Sequence, residues 1–125
     1  MIRAYRVRGH LWADLDPLHY RPEPTPELEL STYGLTVWDL DREFIAGGLG
    51  GHHGTLKLRE ILETLQRTYC WHVGVEYMHI QDTDCRHWLQ ERMESTAYAA
   101  PLPHDEQILV LEDRKSTRLN SSHRL

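Results

Sequence analysis

Two short triplets, Cys70-Trp71-His72 and Cys85-Arg86-His87, are the parts of this sequence whose residue types could bind a metal. Zinc takes thiolate and imidazole donors and needs four of them in a tetrahedron, and the chain holds nine histidines and two cysteines. The spacing argues against it. One residue separates the donors in each triplet, tighter than the usual two to four. Cys85 also falls on a helical face with Trp88 and Leu89, where a free cysteine is expected to act as a small buried hydrophobe. A second candidate is Gly47-Gly48-Leu49-Gly50-Gly51-His52-His53-Gly54. A phosphate cradle needs a lysine after its glycines, or a dinucleotide fingerprint between a strand and a helix. Neither pattern is present, and the run reads as a flexible connector.

The elements that would position these residues follow from periodicity and breakers. Met1 to Leu15 reads as a helix with apolar Ile2, Tyr5 and Trp12, interrupted by Gly9 and ended by Asp16-Pro17. Residues 19–35, with Pro22, Pro24, Pro26 and Gly34, read as an extended connector. Thr36 is placed to cap a short helix through Arg42, with Asp39 in its first turn. The clearest helix is 56–70, opened by Thr55, whose Leu58, Ile61, Leu62, Leu65 and Tyr69 recur at steps of three and four. Glu63 and Arg67 lie one turn apart on its polar side. Gly74 breaks the pattern. Asp82 is placed to cap a second helix, 83–94, with Cys85, Trp88, Leu89 and Met93 on the apolar face. Pro101 and Pro103 mark another connector, and Glu106 to Glu112 begins a helix that the chain never finishes. The fold class expected is mainly α: a small helical region with long connectors.

Composition sets the bounds. The chain has 125 residues, enough for one small domain, with 40% hydrophobic and 26% charged residues, ordinary for a globular segment. The formal charge of −5 is uneven. Residues 1–112 carry 10 basic and 18 acidic side chains, a charge of −8, and such an acidic body disfavours a nucleic-acid partner. No apolar run is long enough for a membrane span. The first residues lack the apolar core of a secretory signal and read as the inside of a helix, so Met1 could equally be an internal methionine. Two cysteines in no framework spacing favour a reducing compartment. Tyr69, Tyr77 and Trp88 are expected in the core, and Arg3, Arg6 and Arg8 on a solvated helix face.

The end of the chain has a different character. Asp113-Arg114-Lys115-Ser116-Thr117-Arg118-Leu119-Asn120-Ser121-Ser122-His123 resembles one reading frame of a common sequencing adapter, residue for residue. Residues 113–125 are therefore expected to be a non-native tail, and the sequon at Asn120 is discounted with it.

Four blocks in order carry a wider resemblance. They are Ile2-Arg3-Ala4-Tyr5-Arg6-Val7-Arg8-Gly9-His10 running into Ala13-Asp14-Leu15-Asp16-Pro17-Leu18; Tyr33-Gly34-Leu35-Thr36 with Asp39-Leu40-Asp41-Arg42-Glu43-Phe44; Leu58-Arg59-Glu60-Ile61-Leu62 with Arg67-Thr68-Tyr69-Cys70; and Gly74-Val75-Glu76-Tyr77-Met78-His79-Ile80 with Trp88-Leu89-Gln90-Glu91-Arg92. Together they resemble the thiamine-diphosphate-dependent first component of 2-oxoglutarate dehydrogenase, over nearly all of 1–112. The resemblance implies an incomplete helical region that normally precedes the α/β cofactor-binding domains of a larger subunit. The parent would decarboxylate 2-oxoglutarate on thiamine diphosphate with magnesium. It would pass succinyl to a lipoyl-bearing succinyltransferase and work as a homodimer, in a bacterial cytoplasm or a mitochondrial matrix, the bacterial setting being favoured.

The resemblance assigns no site to this chain. The family's metal–diphosphate motif, Gly-Asp-Gly with a later Asn, is absent, and the only asparagine is Asn120. The His-Arg-Gly-Arg block is absent too. No catalytic, cofactor-binding or metal-ligating residue is therefore carried over, and the segment alone is expected to be inactive. Some relatives bind calcium near the position of His10, but here Leu11 follows it and paired aspartates are missing, so His10 is expected to be a packed or hydrogen-bonded side chain. A non-catalytic helical scaffold and a zinc-binding module are the alternatives to the enzyme-segment reading.

Overall fold

A computed structural model of the chain describes residues 1–18, 20, 23, 25–97 and 102–122, with side chains as far as 113. The fold is mainly helical. Helix α1 (Ile2–Arg8) runs into a 3-10 turn at Gly9–Trp12. Two further 3-10 turns, Pro26–Leu28 and Leu30–Tyr33, lie within the expected connector, and a third covers Val37–Asp39. Strand β1 (Glu43–Ile45) then pairs antiparallel with β2 (Thr55–Lys57), with Phe44 opposite Leu56. Helices α2 (Leu58–Tyr69), α3 (Thr83–Thr96) and α4 (His104–Ser122) complete the order.

Helix α2 carries the core. Its Leu58, Ile61, Leu65 and Tyr69 are fully buried, and the last three pack with Tyr5 of α1, Leu28, Leu49 and Tyr77. The same i, i+3, i+4 recurrence that marks the helix in the sequence puts these side chains on one stripe. Its start differs from expectation. Thr55 to Lys57 are extended because they close the hairpin with β1, and the helix begins at Leu58, where the Glu60 carboxylate accepts the Lys57 amide at 3.0 Å.

Helix α1 ends where it must cross α2. A Cβ on Gly9 would stand 2.5 Å from the Cβ of Tyr69, so only glycine allows the crossing at that distance. The expected single helix to Leu15 is instead a seven-residue helix and a tighter turn. At Thr36 the expected cap is present: the Asp39 carboxylate accepts from both the Thr36 amide and its hydroxyl, although the helix it opens is only three residues long. The Asp82 cap also forms, its carboxylate accepting from the amides of Asp84 and Cys85.

Two expectations fail in an instructive way. The glycine run is no loose connector: it holds a 3-10 turn at Leu49–Gly51, buries Leu49, and is the main neighbour of α3. The face of α3 that turns inward is also not the one expected. Cys85 is exposed and Trp88 is 57% exposed, while Leu89 and Met93 do pack on the core. The inward stripe is Arg86, Leu89, Gln90, Met93, Glu94 and Ala97, rotated by about one residue from the apolar stripe of the sequence. Helix α4 is longer than the expected 106–112. It starts directly after Pro103, and Ile108, Leu109, Val110 and Leu111 on it are all exposed. The expected connector falls partly on His19, Arg21, Pro22, Pro24 and 98–101, outside the described residues.

Candidate functional site

The most developed polar cluster lies where α1, α2, α3 and the glycine turn meet. Its centre is Glu94 on the last full turn of α3, whose side chain is 0% exposed. Arg6 of α1 grips it with two parallel bonds, Nε to Oε1 at 2.7 Å and Nη2 to Oε2 at 2.9 Å. The Tyr69 hydroxyl donates to Oε1 at 2.7 Å, and the Gly50 amide donates to Oε2 at 3.1 Å. Each carboxylate oxygen therefore accepts twice. Tyr69 has spent its one proton on Glu94, so the Tyr77 hydroxyl, 2.9 Å away, donates to the Tyr69 oxygen.

Burying this ion pair is costly unless every lone pair is met, and here the cluster meets them. Burial pulls the Arg6 guanidinium down, but the hydrogen bonds and charge of Glu94 more than restore it, leaving it above its ordinary value. Burial, then the Glu94 charge, pushes the Tyr69 hydroxyl far above the ordinary phenol range. Tyr77 is raised as well, chiefly by burial. These groups keep their protons at neutral pH and the carboxylate has no free acceptor aimed at solvent. The cluster is a sealed fastening and offers no general base to a substrate.

The residues singled out in the sequence go elsewhere. Cys70 is half-buried beside the apolar groove described below, and burial raises its thiol to about 11. His72 is exposed, in edge contact with Trp71 and 3.8 Å from Asp14. His87 lines a shallow pocket of about 250 Å³ with His53, Gln90, Glu91 and glycines of the turn. The two Cys-X-His triplets are not gathered: among the described residues no three His, Cys, Asp or Glu side chains are placed to hold one metal ion. His10 follows α1, its Nε2 3.1 Å from Glu76 and its Nδ1 buried without a partner. Arg3 is exposed and Arg8 pairs with Glu27 at 2.7 Å near the surface, but Arg6 is the correction: its side chain is only 13% exposed. Tyr69 and Tyr77 are core residues and Trp88 is not.

The Arg6–Glu94 pair escaped the sequence reading because 88 positions separate its members. No signal local to either residue marks the pair in the sequence. On the other side of α2, Tyr5, Trp12, Leu28, Leu62 and Trp71 line an open groove of about 560 Å³. Further apolar surface is open at Trp38, which is 91% exposed, and at Val37 and Ile45.

No family model matches the chain. Curated proteins do. The chain is 52% identical over 97 residues to the multifunctional 2-oxoglutarate metabolism enzyme of Mycolicibacterium vanbaalenii. It is 50% identical over the same length to the enzymes of that name from Mycobacterium sp. strains JLS and KMS. Over that stretch the chain is homologous to these enzymes. The match covers 75% of this chain but only 8% of each of those proteins. The chain thus corresponds to a small part of a much longer, 2-oxoglutarate-related enzyme. No helix among the described residues is long and apolar enough to cross a membrane.

Proposed function

We propose that residues 1–112 are a non-catalytic helical segment of the 2-oxoglutarate dehydrogenase first component. That enzyme would decarboxylate 2-oxoglutarate on thiamine diphosphate and hand succinyl to a lipoyl-bearing partner in the tricarboxylic acid cycle, in a bacterial cytoplasm, as a homodimer. The observation that carries the reading is the 52% identity with a 2-oxoglutarate metabolism enzyme of which the chain spans 8%. The segment's work in such a subunit is structural. Among the described residues the most elaborate polar cluster is sealed, and large apolar side chains such as Trp38, Val37 and Ile45 stand exposed, as expected of a piece built to be covered by more protein.

The residues present do not fit the cofactor. A diphosphate-bound divalent cation needs gathered oxygen donors. The described residues bring no three carboxylates or other metal-ligating side chains together, and the family's Gly-Asp-Gly and Asn pattern is absent. No step of the decarboxylation is therefore assigned to this chain. Residues 113–123, by the same proposal, are foreign to the enzyme.

Genomic DNA tests this reading. The frame should continue from codon 112 into a segment encoding the metal–diphosphate motif, with codons for 113–123 found only in adapter-derived DNA. A genomic frame that runs on through codons 124 and 125, with the eleven codons for 113–123 intact, would overturn it. The purified chain, given thiamine diphosphate and magnesium, should release no carbon dioxide from 2-oxoglutarate above the buffer blank. Sustained turnover would place an active site where none is proposed.

A further inference from the structure

We infer that Glu94 is a latch that couples the N-terminal helix to the glycine turn, so that releasing one end releases the other. The geometry concentrates the coupling on a single atom. Glu94 Oε2 accepts both from Arg6 Nη2 at 2.9 Å and from the Gly50 amide at 3.1 Å. Its companion Oε1 is fixed by Arg6 Nε and Tyr69, so the carboxylate cannot swing to serve one partner while leaving the other.

The turn closes on itself through backbone bonds such as His52 N–H to the Leu49 carbonyl at 2.9 Å and Gly51 N–H to the Gly48 carbonyl at 3.2 Å, and Glu94 ties its Gly50 amide to α3. Gly50 sits at φ +57 and Gly51 at φ +81, left-handed conformations that glycine adopts freely and that a residue with a Cβ would meet as strain. The Gly50 Cα lies so near α3 that an added Cβ would be 3.2 Å from the Glu94 carbonyl oxygen. The turn in turn forms one wall of the 250 Å³ pocket that His53 and His87 face. Arg6 thereby sets the shape of a pocket it does not touch. A carboxylate that lost Arg6 would be a buried charge without its counterion, and it relieves that cost by turning toward water and giving up Gly50.

Coupling of this kind is reciprocal. Two perturbations, one at each end, should therefore each be felt at the other. Native-state hydrogen exchange on the 125-residue chain reads both ends at once. Arg6→Lys keeps the positive charge but loses the two-pronged grip. It should speed exchange of the Gly50, Gly51 and His52 amides about tenfold relative to Leu65 in α2, the factor expected on losing a charge-assisted hydrogen bond. Gly50→Ala, strained at the other end, should speed the α1 amides of Tyr5 and Arg6 by a similar factor. Ile2→Ala serves as the packing control, because Ile2 packs against the core cluster that includes Ala46 and Leu49, and its Cδ1 lies 3.8 Å from where a Cβ on Gly47 would stand. It should leave the Gly50 amide within about twofold of the parent, as for a lost contact that spares the hydrogen bond.

Three results would overturn the latch. In one, Arg6→Lys loosens α1 while the turn keeps its protection. In another, all amides including Leu65 speed up alike, which makes Arg6 a global staple. In the third, Ile2→Ala releases the turn as fully as Arg6→Lys does, which routes the coupling through packing.

Discussion

Helices α2 and α3 are similar in length, and each lies against the same core. They reach it by opposite means. Helix α2 presents Leu58, Ile61, Leu65 and Tyr69, none more than 1% exposed, on a stripe the sequence spells out. Helix α3 buries a single side chain fully, the charged Glu94, and leaves its largest apolar residue, Trp88, in water. The difference shows what each kind of anchor costs. An apolar stripe is non-directional, so any face with enough area serves. A buried carboxylate must meet Arg6, Tyr69 and Gly50 at fixed positions, and that requirement turns α3 about its axis at the expense of burying its indole.

The comparison is broken most directly by removing each anchor in turn. Glu94→Ala strands the Arg6 guanidinium inside and should cost about 3–5 kcal/mol, the range for breaking one side of a buried pair. Leu65→Ala, at a site 0% exposed, should cost about 2–5 kcal/mol through lost burial and a cavity. Urea unfolding followed by circular dichroism measures both. The telling variant is the double change Arg6→Met with Glu94→Leu. It should recover most of the loss, because apolar replacements of similar size often match a buried pair in stability. If the double variant is no better than Glu94→Ala, the pair contributes more than orientation.

A smaller effect separates the two helices by pH. The tyrosine hydroxyls of Tyr69 and Tyr77 are raised above their ordinary value of 10.0, and the Cys70 thiol rises from 9.0 to about 11, each chiefly by burial. The folded state thus holds these protons longer than the unfolded chain does. Stability is full below about pH 9 and falls as the pH climbs past 9 for the thiol and past 10 for the phenols. Tyr69→Phe should flatten the alkaline slope while lowering stability at pH 7 through the lost bond to Glu94. An unchanged slope in that variant would mean that the alkaline loss arises elsewhere.

Legibility followed the same division. The apolar face of α2, the Asp82 cap and the Thr36 cap with Asp39 in its first turn are local, and each can be read from residues within one or two turns. The mainly helical class follows from them. The hairpin of 43–45 with 55–57 was hidden because three-residue strands are too short to show a period and the glycines between them read as slack. The Arg6–Glu94 cluster was hidden for another reason. Charge on a helix is ordinarily solvated, and nothing local tells a buried glutamate from an exposed one when its partner is 88 residues away. The resemblance to a 2-oxoglutarate enzyme was legible in four motif blocks, and similarity over 97 residues supports it at that coarse level.

The smallest expected effect concerns Trp88, because the sequence and the structure disagree about it most plainly. As a core aromatic it would cost about 3–5 kcal/mol to truncate. In the structure it is 57% exposed, and its chief partner is the Arg92 guanidinium, 4.9 Å from the ring on the same solvent face of α3. A cation over an exposed ring is worth about 0.5–1 kcal/mol, and surface substitutions otherwise change stability by about 0.5 kcal/mol or less. Trp88→Ala should therefore lower the urea midpoint only slightly, and Arg92→Ala should do nearly the same. The combined variant should cost little more than either alone, since both remove one contact. Fluorescence quenching by iodide offers a check that needs no unfolding: the parent should lose more quenchable emission on Trp88→Phe than a buried indole could supply. A loss of several kcal/mol with no change in quenching would return Trp88 to the core and put Glu94, not the indole, on the wrong face.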